Sequence, residues 1–311
     1  MATGCVNLPL DNVDGTPSVQ RELIRQEQGA SFYSESDLTD GVWLEFEDPN
    51  GTSQTIGGYL GQPENGRKSL ILALDGASTF DPSGGTYNAR DFHETFCTSF
   101  RDAGFSTWSL VSTECGTAYG QEDLAELLAT IDWLGTVGCE LLDIERVYCI
   151  GYSTGGTLAI LASRQRTLSG AISIGGYTQA NQFTDNYFLY QIIAALFPNN
   201  VGACQLGATL AFYGPPDSPA WDTLDSVSHI NELQNPLLFI HGTADAISEP
   251  ENAYAMQRRY DTGLAAGEDL VPLSFLFIEG GDHFVARHDV GIRQIMIDYL
   301  QGFEPDTNEP D

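Results

Sequence analysis

Ser153 stands at the centre of Gly151-Tyr152-Ser153-Thr154-Gly155-Gly156, between the apolar run Val147-Tyr148-Cys149-Ile150 and a helix-like stretch from Leu158 to Arg164. This places a serine hydroxyl on a strand-to-helix turn, where small residues two places before and after it let strand and helix pass closely. Such a hydroxyl is a weak nucleophile near neutral pH, so it needs a histidine to take its proton and an acid to orient that histidine. Of the five histidines, His283 follows the apolar run Ser274 to Ile278, on the glycine-rich stretch Glu279-Gly280-Gly281-Asp282-His283-Phe284. His288 is the alternative base. His241 ends the preceding apolar run and suits local hydrogen bonding, while His93 and His229 fall in helical or pre-strand segments. Asp245, in His241-Gly242-Thr243-Ala244-Asp245, follows the run Pro236 to Ile240 and is the candidate acid, with Glu249 and Asp282 as alternatives. The oxyanion of an acyl-transfer intermediate needs backbone donors. The amide of Thr154 is one candidate; the other falls in Asp75-Gly76-Ala77-Ser78 and is placed on Ala77.

The elements that must position these residues are legible. Residues 1 to 18 read as a disordered tail or tether and Val19 to Gln28 as a short helix. Residues 42–47 alternate apolar and acidic, Asp48-Pro49-Asn50-Gly51 turns the chain, and Thr55 to Leu60 returns, which predicts an antiparallel hairpin. Apolar runs then alternate with helical segments: Leu70–Leu74, Phe105–Val111, Val147–Ile150, Ala171–Ile174, Pro236–Ile240 and Ser274–Ile278. Strands apolar on both faces belong to a mostly parallel sheet covered by helices. Helices are expected over Gln121–Val137, Glu251–Tyr260 and Val290–Leu300. The fold class is α/β, one doubly wound domain over residues 19–302 with an antiparallel hairpin at its start, followed by an acidic tail from 303 to 311. Roughly sixty residues separate Gly176 from Pro236, more than one crossover helix requires. The aromatic, amphipathic part of this excess, within about 177–212, is a candidate lid. Tyr152, Phe80, Tyr87, Tyr119, Tyr177 and Phe183 fall on or near the ends of apolar runs and are candidates to line a substrate pocket.

The motif 151–156, the run Asn235 to Asp245, Pro250-Glu251-Asn252 and Gly281-Asp282-His283-Phe284 together resemble the α/β-hydrolase superfamily, and within it the catalytic domain of the prolyl oligopeptidase and dienelactone hydrolase group. The resemblance spans roughly residues 41–302. It implies Ser153, Asp245 and His283 as nucleophile, acid and base, and Ala77 with Thr154 as the oxyanion hole. Relatives often begin the oxyanion loop with His-Gly where this chain has Asp75-Gly76. The β-propeller of prolyl oligopeptidases has no counterpart in so short an N-terminal portion, and dienelactone hydrolases carry cysteine at the elbow. The expected activity is hydrolysis of a small-molecule carboxylic ester through an acyl-enzyme, with no metal or organic cofactor. An exopeptidase or amidase using the same residues is the alternative, with Arg90, Asp75 and Glu114 as candidate anchors for a peptide terminus; a non-catalytic binding protein of the same fold is the third reading.

The net charge of −30 arises more from scarce bases than from abundant acids, since Lys68 is the only lysine. Nucleic acid is an unsuitable partner for such a surface. No apolar run is long enough to span a bilayer. Six cysteines without Cys-x-x-Cys spacing disfavour zinc and suit one or two disulfides, with Cys149 an inert core thiol. Thr3-Gly4-Cys5 is similar to the end of a bacterial lipoprotein signal, which makes Cys5 a candidate lipid-attachment site and favours an extracytoplasmic location; an ordinary disordered N-terminus and a cytoplasmic location are the alternatives. A surface this acidic repels itself and is relieved by screening. Solubility or activity should therefore improve on adding salt up to about 1 M, and a flat response over that range would sink the expectation.

Overall fold

In a computed structural model, residues 24–27, 41–47, 53–63, 66–76, 91–111, 122–197 and 201–304 are described. They form a nine-stranded sheet: β1 Ile24–Glu27, β2 Gly41–Glu47, β3 Ser53–Gly61, β4 Ser69–Leu74, β5 Ser106–Val111, β6 Arg146–Tyr152, β7 Gly170–Ile174, β8 Leu237–Gly242 and β9 Leu273–Ile278. The order is β1-β2-β3-β5-β4-β6-β7-β8-β9. From β5 through β4 to β9 every pairing is parallel, while β1, β2 and β3 join antiparallel, as the alternating hairpin residues and the later two-sided apolar runs lead one to expect.

The period-two geometry of a strand explains why these runs are apolar throughout. In β4, Leu70, Leu72 and Leu74 face one buried cluster, and Ile71 and Ala73 face another across the sheet. β8 divides in the same way, Leu237 and Phe239 against Leu238 and Ile240. Helices Glu122–Trp133, Thr154–Gln165 and Glu251–Ala265 supply Leu127, Leu158 and Met256 to the first cluster. Phe92–Asp102, which begins as a π-helical turn, and Val290–Gln301 supply Phe96, Phe100, Met296 and Leu300 to the second. β4, β7 and β8 are thus covered on both sides.

One expectation is corrected. The segment expected to be a short helix contributes β1, whose residues pair with β2 from Ile24↔Leu44 to Glu27↔Gly41. A short isolated helix is marginal in water, whereas the open edge of β2 offers a full set of backbone partners. The expected tail of residues 1–18 lies outside the described residues.

The chain reverses direction at β4, whose neighbours are β5 on one side and β6 on the other. Ligands of open α/β sheets bind at the carboxyl ends of strands beside such a reversal. Asp75 follows β4 and Ser153 follows β6, so both lie there. The excess after β7 folds as helices Asn181–Asp185, Tyr187–Leu196 and Val201–Tyr213, the last two packed together. Phe188 (75% exposed), Leu189, Ile192 and Leu196 (67% exposed) leave the middle helix with an uncovered apolar face. Among the described residues no helix is long and apolar enough to cross a membrane.

At the amino end of the sheet, the Glu304 carboxylate accepts hydrogen bonds from Ser69 Oγ at 2.7 and 2.9 Å and from Tyr148 OH at 2.7 Å. Ser69 and Tyr148 are buried, so removing the carboxylate strands two hydroxyls. Glu304→Ala should cost about 2–3 kcal/mol in urea unfolding; an unchanged midpoint would show that water replaces the contact.

Candidate active site

The elbow after β6 is built on steric necessity. Ser153 has φ 54° and ψ −117°, a positive φ that side chains other than glycine's rarely adopt, and it leads directly into the helix starting at Thr154. A side chain at Gly151 would put its first carbon 1.8 Å from the Gly155 carbonyl oxygen, and one at Gly155 would come 2.3 Å from the Leu74 oxygen. Only glycine permits these approaches. The turn is held by the Ser153 N–H donating to Ile174 O at 2.7 Å and the Thr157 N–H donating to Ser153 O at 3.1 Å.

Three loops converge on the serine. His283 Nε2 lies 2.9 Å from Ser153 Oγ, and His283 Nδ1 lies 2.6 Å from Asp245 Oδ2. A carboxylate only accepts, so the ring proton sits on Nδ1 and leaves Nε2 to take the serine proton. Ser153, Asp245 and His283 are all buried. The second oxygen of Asp245 accepts from the Ile247 and Ser248 N–H groups at 2.8 and 2.9 Å. These amides fix the carboxylate, and neither was visible in the sequence because backbone donors leave no residue signature.

The other sequence candidates fall elsewhere. Glu249, Asp282 and His288 are exposed, and Asp282 caps the Phe284 amide. His229 contacts Glu232 and Asp222 at 2.8 and 3.0 Å. Arg101 donates to the carbonyl of His93. His241 donates from Nε2 to Ser248 O at 2.7 Å, the local role expected of it, and burial holds it below its ordinary value against the pull of that carbonyl and of Asp245. Cys149 is fully buried, which pushes its thiol up to about 12.

Thr154 opens its helix, so its N–H is among those that an α-helix leaves without an internal partner. Ala77, Phe80, Tyr87, Arg90, Glu114 and Tyr119 lie outside the described residues, as do Cys5 and Cys115. Tyr152 packs its ring 5.2 Å from that of His283. Tyr177 and Phe183 are buried with ring centroids 4.8 Å apart, and Phe183 also stacks on Trp221 at 5.9 Å. Tyr177 OH and Gln182 Nε2 both donate to Ile247 O, at 3.0 and 2.7 Å, which fastens the start of the helical insertion to the loop carrying Asp245.

Arg287 is the feature that sequence reasoning missed. It lies on the short helix Val285–His288, four residues past His283, and its Nη1 donates to Asp75 Oδ1 at 3.0 Å.

Residues 113–301 match the model of the prolyl oligopeptidase family. No curated protein matches the chain. Among solved structures, an esterase of Pyrococcus furiosus is 14% identical with a TM-score of 0.56, over 92% of this chain and 100% of that one. An acylaminoacyl peptidase of Pyrococcus horikoshii is 16% identical with a TM-score of 0.56, over 83% of this chain but 41% of its own. A putative dipeptidyl aminopeptidase IV of Bacteroides ovatus is 13% identical with a TM-score of 0.59, over 84% of this chain and 35% of its own. This chain therefore spans well under half the length of those two peptidases. The shared architecture is the α/β-hydrolase fold.

Burial pushes the Asp75 carboxyl up to about 6, against the lowering pull of Arg287 and the Gly76 N–H. Its value in the folded protein lies above the ordinary 3.8, so the folded protein holds this proton more tightly than the unfolded chain. That contribution to stability is complete below 3.8 and is lost as the pH rises through about 6. Asp75→Asn should therefore gain stability relative to the parent between about pH 4 and 7 in urea unfolding. Parallel curves for the two proteins would refute the burial argument.

Proposed function

The chain belongs to the prolyl oligopeptidase family of α/β-hydrolases, and from that premise we propose that it hydrolyses carboxylic esters with Ser153 as nucleophile. The observation that carries this reading is the continuous contact from Ser153 Oγ through His283 to Asp245. His283 Nε2 takes the serine proton as Oγ attacks the acyl carbon, and Asp245 stabilises the imidazolium that forms. The tetrahedral oxyanion is held by the Thr154 N–H and a second donor on the loop after β4, for which Ala77 is the candidate. Collapse breaks the bond to the alcohol, which leaves with the proton from His283. Water then gives its proton to His283 as it attacks the acyl-enzyme. Collapse of the second tetrahedral intermediate breaks the bond to Ser153 Oγ, which takes that proton back from His283 as the acid is released. This sequence needs no metal or organic cofactor.

Ester over amide is placed first because the similar structures include an esterase of Pyrococcus furiosus and a truncated carbohydrate esterase from gut microbiota. Exopeptidase or amidase action remains the second reading, because the family and those neighbours include peptidases. The insertion after β7 serves in this proposal as a cover over the acid loop, anchored through Tyr177 and Gln182 at Ile247.

Ser153→Ala should lower turnover by about 10⁴-fold or more and abolish labelling by a fluorophosphonate probe. A folded wild-type protein that resists the probe at Ser153 would remove catalysis from this site and leave a binding role. Set side by side, p-nitrophenyl acyl esters and aminoacyl-p-nitroanilides separate the two enzymatic readings; faster cleavage of anilides than of short esters would reverse the ranking.

A further inference from the structure

Arg287 is one of thirteen basic residues in a chain of net charge −30, yet it is spent inside the molecule. Its side chain is 13% exposed, and that of its partner Asp75 is fully buried. Taking an ion pair out of water is costly and is not by itself a source of stability.

The guanidinium donates to Asp75 Oδ1 at 3.0 Å, and its carbon lies 5.3 Å from the centre of the Phe92 ring and 5.5 Å from that of Tyr152. A second nitrogen is 3.7 Å from Asp91. A planar cation can stack and donate at once, which an ammonium cannot. Asp75 Oδ1 also accepts the Gly76 N–H at 2.8 Å, whereas its Oδ2 is buried without a partner among the described residues. Gly76 in turn lies against the nucleophile: a side chain there would meet Ser153 Cβ at 2.9 Å and the Tyr152 ring at 3.3 Å. Tyr152 is thus flanked by the His283 ring and the Arg287 guanidinium. One cation ties together the loop after β4, the residue before the serine and the segment that carries the base.

We propose that Arg287 and Asp75 are positioning residues that clamp the loop after β4 against Ser153, with Arg287 cancelling a carboxylate charge that would otherwise oppose the oxyanion. This rests on the reading of Ser153 as nucleophile. Two consequences follow from the geometry. Without Arg287 the Asp75 carboxylate is left buried and uncompensated, so the single loss is worse than removing both charges. The effect falls on the transition state rather than on substrate capture, because neither side chain is needed to bind the ester.

The test compares Arg287→Met, Arg287→Lys, Asp75→Asn and the double variant Asp75→Asn with Arg287→Met in the full chain, using p-nitrophenyl acetate. Arg287→Met should lower kcat about 10–100-fold while KM moves less than about 3-fold. Arg287→Lys, which keeps the charge and loses the planar fork, should fall between it and wild type. Adding Asp75→Asn to Arg287→Met should recover about 3-fold or more of the loss. Hydrogen exchange of the backbone at residues 75–76 should be faster in Arg287→Met than in wild type, although Asp75 is still present. If Arg287→Met does not fold, Arg287→Lys and Asp75→Asn carry the same comparison. A kcat within about 2-fold of wild type, a loss confined to KM, or losses that simply multiply in the double variant would overturn the clamp. If the wild type fails to react with a fluorophosphonate, the nucleophile reading falls instead, and the exchange measurement alone decides the clamp: unchanged exchange would overturn it.

Discussion

The backbone crossing at the elbow governs everything built around it. The helix that follows Ser153 passes so close to β6 and to the end of β4 that the carbonyls of Gly155 and Leu74 occupy the space where side chains on Gly151 and Gly155 would lie. That approach forces the positive φ at Ser153, a conformation costing about 1–3 kcal/mol that persists only where the surroundings over-determine it. Here they do: β4 and β7 are buried along their length, β6 is buried from Tyr148 to Tyr152, and the Ser153 amide is bonded to Ile174. The strain lifts the hydroxyl out of the strand and toward His283.

The same crossing explains why the charged pair lies where it does. The loop after β4 leaves the sheet beside the elbow, with Gly76 against Ser153 and Asp75 buried behind it. A carboxylate in that position has little access to water, which is why burial dominates its shift and why a cation is drawn from the far end of the chain. The partners are 212 residues apart in sequence. No local spacing announces such a pair. Asp75 was conspicuous in the sequence only as a departure from His-Gly, and Arg287 not at all.

Legibility followed the physics of each feature. The runs at Leu70, Val147, Ala171 and Pro236 were readable because two-sided burial demands apolar residues at every position, and the carboxyl ends of the runs at Val147, Pro236 and Ser274 then pointed to Ser153, Asp245 and His283 in chain order. The segment at Ile24 was misread because β1 is defined by its pairing with β2, not by a pattern of its own. The amides of Ile247 and Ser248 were invisible for a similar reason, since any residue type can supply a backbone donor.

Two histidines approach Asp245, and their partners divide the work. His241 Nε2 is 3.6 Å from Asp245 Oδ2 but is committed at 2.7 Å to the Ser248 carbonyl. Burial lowers it from its ordinary value, and a carbonyl partner, which only accepts, puts a proton on that nitrogen. By holding Ser248 O, it sets the turn whose amides fill Asp245 Oδ1. Only Oδ2 is then left for an imidazole, and His283 meets it at 2.6 Å. The carboxylate is thereby aimed at one ring and the ring at one hydroxyl. His241 reaches the serine only through the shape of the loop, so a histidine this close to Asp245 braces the loop, while His283 is the one that contacts the hydroxyl.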